Sequence, residues 1–153
     1  MTSIKSIIDS HRPDLKPYED LYIHFHKNPE LSNHETETAK RITEHLKSLS
    51  SDLNITTDIG GTGQIAVLKN GEGPTVLLRA DIDALPVLEK TGKEYASKKK
   101  MVDKKDGMEK PVMHACGHDF HITCGLAAAE TLVKAREEWS GTVVFLFQPA
   151  EER

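Results

Sequence analysis

The stretch "GTVVFLFQP", Gly141 to Pro149, constrains the fold more than any other part of the chain. Thr142 to Phe147 is a nearly unbroken apolar run, rich in β-branched and aromatic residues, opened by a glycine and stopped by a proline. It is too short for a buried helix, and its lack of alternation predicts a strand covered on both faces, as in a helix-flanked α/β sheet. Two further short runs, "GQIAVLKN" and "PTVLLRADID", are separated by "GEG" and read as two strands around a turn.

The helices have their own signature. In "LSNHETETAKRITEHLKSLS", Ala39, Ile42, Leu46 and Leu49 recur at steps of three and four, and Ser32 and Glu35 stand at capping-box spacing ahead of them. Pro17 to Lys27 reads as a preceding helix that ends near Pro29. From Asp119 to about Glu138, the positions Ile122, Leu126, Ala129 and Val133 give another core-facing helix. Glu89 to Lys110 has no sustained period and reads as a flexible surface loop. No internal repeat appears, so an α/β sheet with flanking helices is the economical architecture.

Composition narrows the functional classes. A chain of 153 residues with 37% hydrophobic and 29% charged residues supports one core of ordinary size. The formal charge of -4 offers no general attraction to nucleic acid or anionic lipid, and the lysines of residues 89–110 lack interleaved aromatics. No apolar run approaches the roughly 18 residues of a membrane helix. The N-terminus lacks the apolar segment of a secretory signal, which argues against export and for the cytoplasm. There, Cys116 and Cys124 are expected to stay reduced.

The chemistry gathers at the ends of the expected strands. Asp81 and Asp83 follow "TVLL", Glu151 and Glu152 follow "VVFLF", and Cys116 and His118 lie in the loop that feeds the Asp119 helix. In open α/β sheets, sites lie beyond the carboxyl ends of the strands. Parallel neighbours would bring all three clusters together. Cys116 and His118, two residues apart, can face one point and bind a metal such as zinc, with a carboxylate such as Glu152 in the shell. The alternatives are a buried free cysteine beside a capping histidine, or a Cys/His nucleophile pair, for which no orienting third group is recognisable. Of two adjacent glutamates, one can ligate while the other acts as general base, unless the pair is merely a solvated loop. Asp81 and Asp83 read either as turn makers or as hydrogen-bond partners of a ligand histidine.

In order and approximate spacing, "HKNPELSNHETETAKRI", "LLRADIDALPVLE", "MHACGHDFH" and "FLFQPAEE" resemble the successive motifs of the amidohydrolase branch of the co-catalytic metallopeptidases. That branch includes hippurate hydrolases, N-acetyl-diaminopimelate deacetylases and auxin-conjugate hydrolases. The resemblance covers the chain from about residue 18. It implies a three-layer α/β/α sandwich of the zinc-peptidase type, with residues 1–153 forming the N-terminal portion of its catalytic domain. The lid and dimerisation domain, the remaining catalytic segment and two further histidine ligands would lie outside this sequence. The activity implied is metal-dependent hydrolysis of the amide bond of N-acyl amino acids, with one or two divalent ions, zinc or manganese. Cys116, His118 and Glu152 correspond to ligands and Glu151 to the general base, while Asp83 resembles the aspartate behind a ligand. Asp81, His114 and His121 match motif positions near the metal without a transferred role. Residues 97–111, "SKKKMVDKKDGMEKP", look longer than the family's usual link and read as a surface insertion. The full-length relative is expected to dimerise through the absent domain. The present chain alone is expected to be inactive, or to be a non-catalytic metal-binding or partner-binding fragment.

Overall fold

The structure is a computed structural model that describes residues 3–153. Three helices come first: α1 (Ile4–His11), α2 (Leu15–Lys27) and α3 (Thr36–Leu49). Strands β1 (Asn54–Ile59), β2 (Gly63–Asn70) and β3 (Thr75–Asp81) follow, then a short hairpin of β4 (Lys100–Val102) and β5 (Glu109–Pro111). The chain closes with α4 (His118–Lys134), a single 3-10 turn and β6 (Gly141–Gln148). Side-chain caps start the first two helices: Ser3 Oγ accepts from the Ser6 amide, and Asp14 from the Lys16 amide.

The helix expectations hold with two corrections: α4 ends at Lys134 rather than near Glu138, where a 3-10 turn of Arg136–Glu138 takes over, and the start of α3 is held differently. Ser32 and Glu35 form no capping box; the buried Glu30 carboxylate accepts from the amide and hydroxyl of Thr38. Tertiary partners claim the other two side chains. Ser32 Oγ donates to Asp83 at 2.6 Å, and the fully buried Glu35 accepts from the amides of Asn33 and Ala150 and from Thr62 Oγ1.

The sheet order is β1-β2-β6-β3, so β2 and β3 do not form the hairpin that "GEG" suggested. β6 lies between them, antiparallel to β2 and parallel to β3. A β3–α4–β6 crossover supplies that parallel pair, and the most apolar strand takes one of the two inner positions. Glycine makes the crossing possible. A Cβ on Gly141, at φ +122°, would stand 2.5 Å from the carbonyl oxygen of Pro74, and one on Gly73 would stand 3.0 Å from Gly141 Cα.

The core lies on one face of the sheet. Ala66, Leu68, Val143, Phe145 and Phe147 meet Phe25 of α2, Ile42 and Leu46 of α3, and Ile122 and Leu126 of α4. On the opposite face, Ile65, Val67, Val144 and Leu146 are only half-buried and lie outside this core. β6 is thus covered on one face rather than two. Of the three layers implied by the family resemblance, the described residues supply the sheet and one helical layer. β3 forms an edge, with Leu77 55% exposed. Among the described residues no helix is long and apolar enough to cross a membrane.

Residues 89–110 also depart from expectation. The hairpin within them buries Asp103, which binds Lys110 and Arg153, and Ser97 Oγ donates to the Val112 carbonyl. Long-range polar partners order this segment where periodicity is absent.

Phe145 is 1% exposed at the centre of the core. Phe145→Ala is expected to cost about 3–5 kcal/mol, read as a fall in the urea midpoint with an unchanged slope.

Candidate metal centre

Parallel pairing places the ends of β3 and β6 side by side, with Asp81 opposite Gln148. Past that edge, Pro149 and the left-handed Ala150 (φ +52°) turn the chain sharply, so Glu151 and Glu152 double back over the end of β3. Asp83 receives them. Its carboxylate, 1% exposed, accepts from the Glu151 amide at 3.2 Å, the Glu152 amide at 3.0 Å and Ser32 Oγ at 2.6 Å. A single buried carboxylate therefore ties three distant motifs to one point.

The same residue orients His118. The Asp83 backbone carbonyl lies 2.9 Å from Nδ1, and a carbonyl can only accept, so Nδ1 carries a proton, which leaves Nε2 as the atom able to bind a metal. The Asp83 carboxylate is farther from that ring, at 3.5 Å. The sequence left Asp83 as either a turn maker or a hydrogen-bond partner of a ligand histidine; here its main chain makes the bond to the histidine while its side chain holds the glutamate turn.

Nε2 of His118 stands 3.9 Å from Glu151 Oε2 and 4.0 Å from Glu152 Oε1. Zinc takes nitrogen and oxygen ligands at about 2.0–2.2 Å, so donors sharing one ion stand roughly 3–4 Å apart. Cys116, two residues before His118, is exposed and lies outside this group: the donor atoms within 4.8 Å of one another are those of His118, Glu151 and Glu152. Its interaction with Glu152, with some burial and the charges of Glu151 and Asp83, raises the thiol pKa to about 11. Among the described residues, neither Glu151 nor Glu152 pairs with a lysine or arginine. An imidazole and two carboxylates without a cationic partner fit a divalent cation, and the nearby Cys116 is a soft donor that could join them.

The remaining expected site residues lie around this cluster. Asp81, half-buried, accepts from Arg79 at 2.7 and 2.8 Å; it also has an oxygen within 4.8 Å of ring nitrogens of His118 and His121. His121 is exposed and stacks on His118, with centroids 5.9 Å apart. His114 is buried, neither ring nitrogen has a protein partner, and burial lowers its pKa to about 4. It is therefore neutral.

One polar group beside the site has no signature in the sequence. His26, 7% exposed, lies between Asp119 Oδ2 at 2.6 Å and Glu89 Oε1 at 3.0 Å. Burial opposes charging of this ring, but the bonds to Glu89 and Asp119 outweigh it and raise its pKa.

Fold and site together define the class: a helix-backed α/β sheet carrying a candidate divalent-metal centre at its carboxyl edge. Residues 77–153 match peptidase family M20/M25/M40, and the chain belongs to that family. It is 45% identical over 130 residues to an N-acetyl-L-cysteine deacetylase of Bacillus subtilis, covering 84% of this chain and 28% of that protein. It is 41% identical over 136 residues to a hippurate hydrolase of Campylobacter jejuni, covering 88% and 32% respectively. Among solved structures, a dinuclear metal-binding peptidase of the M20 family from Bacillus subtilis superposes with a TM-score of 0.76 at 40% identity, covering 89% of this chain and 35% of that one. The chain thus spans about a third of the length of the relatives it matches.

Proposed function

We propose that these residues form the N-terminal part of the active site of a metal-dependent amidohydrolase acting on N-acyl amino acids. The observation that carries this reading is the meeting of His118, Glu151 and Glu152 beside Asp83, with Cys116 two residues before His118 in the loop that leads into α4. The deacetylase and hydrolase names of the relatives support the substrate class. Cys116, His118 and Glu152 would hold the cation, zinc or manganese, as one ion or as part of a pair. When bound, such an ion supplies Lewis acidity to an amide carbonyl and to water. Glu151, 40% exposed at its side chain and facing His118, would take a proton from the attacking water and return it to the leaving amine. Asp83 would keep base and ligand in register through their amides.

Three donors make an incomplete shell for a pair of ions, so we propose that turnover requires the longer context of the family and that this chain alone binds metal without appreciable hydrolysis. The test replaces the matching segment of the Bacillus subtilis N-acetyl-L-cysteine deacetylase with this chain and assays N-acetylcysteine hydrolysis. The chimera should turn over. Its Glu151→Gln variant should lose at least about a hundredfold in rate at normal metal content. Equal rates in both would remove Glu151 as the base. A folded, metal-loaded chimera with no turnover would favour a non-catalytic metal-binding role for these residues.

A further inference from the structure

We propose that His26 is a positioning residue of the metal centre: its buried bridge between Glu89 and Asp119 fixes the first turn of α4 and, through it, the ring of His118. The proposal rests on the reading of His118 as a ligand. The far end of the first turn is held by Ile122 in the core and by Thr123, whose hydroxyl donates to the Asp119 carbonyl; its start is tied less firmly. The turn begins at Gly117, which is left-handed at φ +78° and offers no side-chain cap. His118 is held on one side by its bond to the Asp83 carbonyl. On the other side the next residue, Asp119, accepts from its neighbour's amide through Oδ1 and reaches His26 through Oδ2 at 2.6 Å. Without His26 the turn would keep the His118 bond to Asp83 and the core packing of Ile122, but its second residue, Asp119, would lose the side-chain link that ties it to α2.

The bridge is built to be rigid. The side chains of His26, Glu89 and Asp119 are 8%, 0% and 3% exposed, so water cannot substitute for any partner without opening the structure. Tyr22 and Tyr95 enclose the ring, with centroids 5.6 and 5.3 Å away. Glu89 is fixed in turn by Thr91 Oγ1 and by the Ser97 amide. Each of the three bridge residues comes from a separate part of the chain: α2, the segment after β3, and α4. Facing two carboxylates, the ring can donate from both nitrogens, whereas a glutamine amide can reach only one of them well. Partners behind a metal ligand typically change metal affinity by about 10–100-fold when removed.

His26→Gln and Glu89→Gln test this in two readouts that a purely structural role would leave alone. In the metal-free chain, long-range proton–nitrogen correlations should show His118 protonated at Nδ1; in His26→Gln its ring should average between tautomers. Cobalt(II) titration should then give a dissociation constant about 10–100-fold weaker, with altered thiolate-to-cobalt and ligand-field bands. Glu89→Gln, which keeps an oxygen toward the ring, should shift both readouts in the same direction but less. A variant that melts earlier yet keeps the His118 tautomer and the cobalt affinity when folded would overturn the proposal. If His26→Gln does not fold, Glu89→Gln decides by the same criteria. If the unaltered chain binds no cobalt(II) at all, the metal reading fails, while the His118 tautomer still decides whether His26 positions that ring.

Discussion

Asp83→Ala is expected to weaken zinc binding by about 10–100-fold and to lower stability by about 2–4 kcal/mol. The substitution removes the acceptor for the Glu151 and Glu152 amides and for the buried Ser32 hydroxyl, while the backbone bond to His118 survives. His118 should therefore stay in place as the glutamate loop loosens around the left-handed Ala150. Asp81→Asn is the natural comparison. It removes an ion pair with Arg79, whose side chain is 47% exposed, and such pairs contribute less than about 1 kcal/mol. Isothermal titration with zinc and urea unfolding on both variants would separate them. Equal losses of zinc affinity at Asp81 and Asp83 would refute the assignment of Asp83 as the organiser of the centre.

Asp83 also shows how far this structure can be read from sequence. The strand-end position of both aspartates was legible, because an apolar run followed by carboxylates marks the carboxyl edge of a sheet. The division of labour within Asp83, main chain to the histidine and side chain to the glutamates, depends on tertiary geometry and has no local signal. Helices α2, α3 and α4 follow from periodicity, since Leu21, Ile42, Leu46, Ile122 and Leu126 recur on one face and all reach the core. Strand order does not follow. "GEG" has the composition of a hairpin turn, and only the longer apolar run of β6 decides that it will separate β2 from β3. Strand β1, "NITTDI", is mostly exposed and polar and offered little pattern to read. Glu35 and Ser32 matched a capping box by spacing, but buried partners more than 25 residues away outcompeted the local bonds. The bridge through His26 joins residues 93 and 63 positions apart, a separation at which neither periodicity nor motif spacing has anything to say.

Cys116 carries the last expected result: metal affinity that climbs about tenfold per pH unit across about pH 8 to 10. In the metal-free protein Glu152, with some burial and the charges of Glu151 and Asp83, holds the exposed thiol's pKa at about 11. A metal ligand must be the thiolate, so binding expels a proton that the free protein retains throughout this range. The sign follows directly. Below about pH 11 each unit of rising pH makes that proton ten times easier to remove, so binding strengthens; above it the free thiol is already ionised and the dependence flattens. Imidazoles are in general neutral across about pH 8 to 10, which leaves Cys116 as the group whose deprotonation sets the slope. Zinc titrations at several pH values, with one proton released per ion in buffers of different ionisation enthalpy, would measure it. Cys116→Ser should bind zinc more weakly and lose the thiolate-to-metal band on cobalt substitution. Alkylation gives an independent check in a Cys124→Ser background, which removes the other exposed thiol. Bound zinc should protect Cys116 from the reagent. A wild-type affinity flat between about pH 8 and 10, with Cys116 equally reactive in the loaded and metal-free protein, would mean that the sulfur stays a thiol beside Glu152 and that His118 and the carboxylates hold the ion without it.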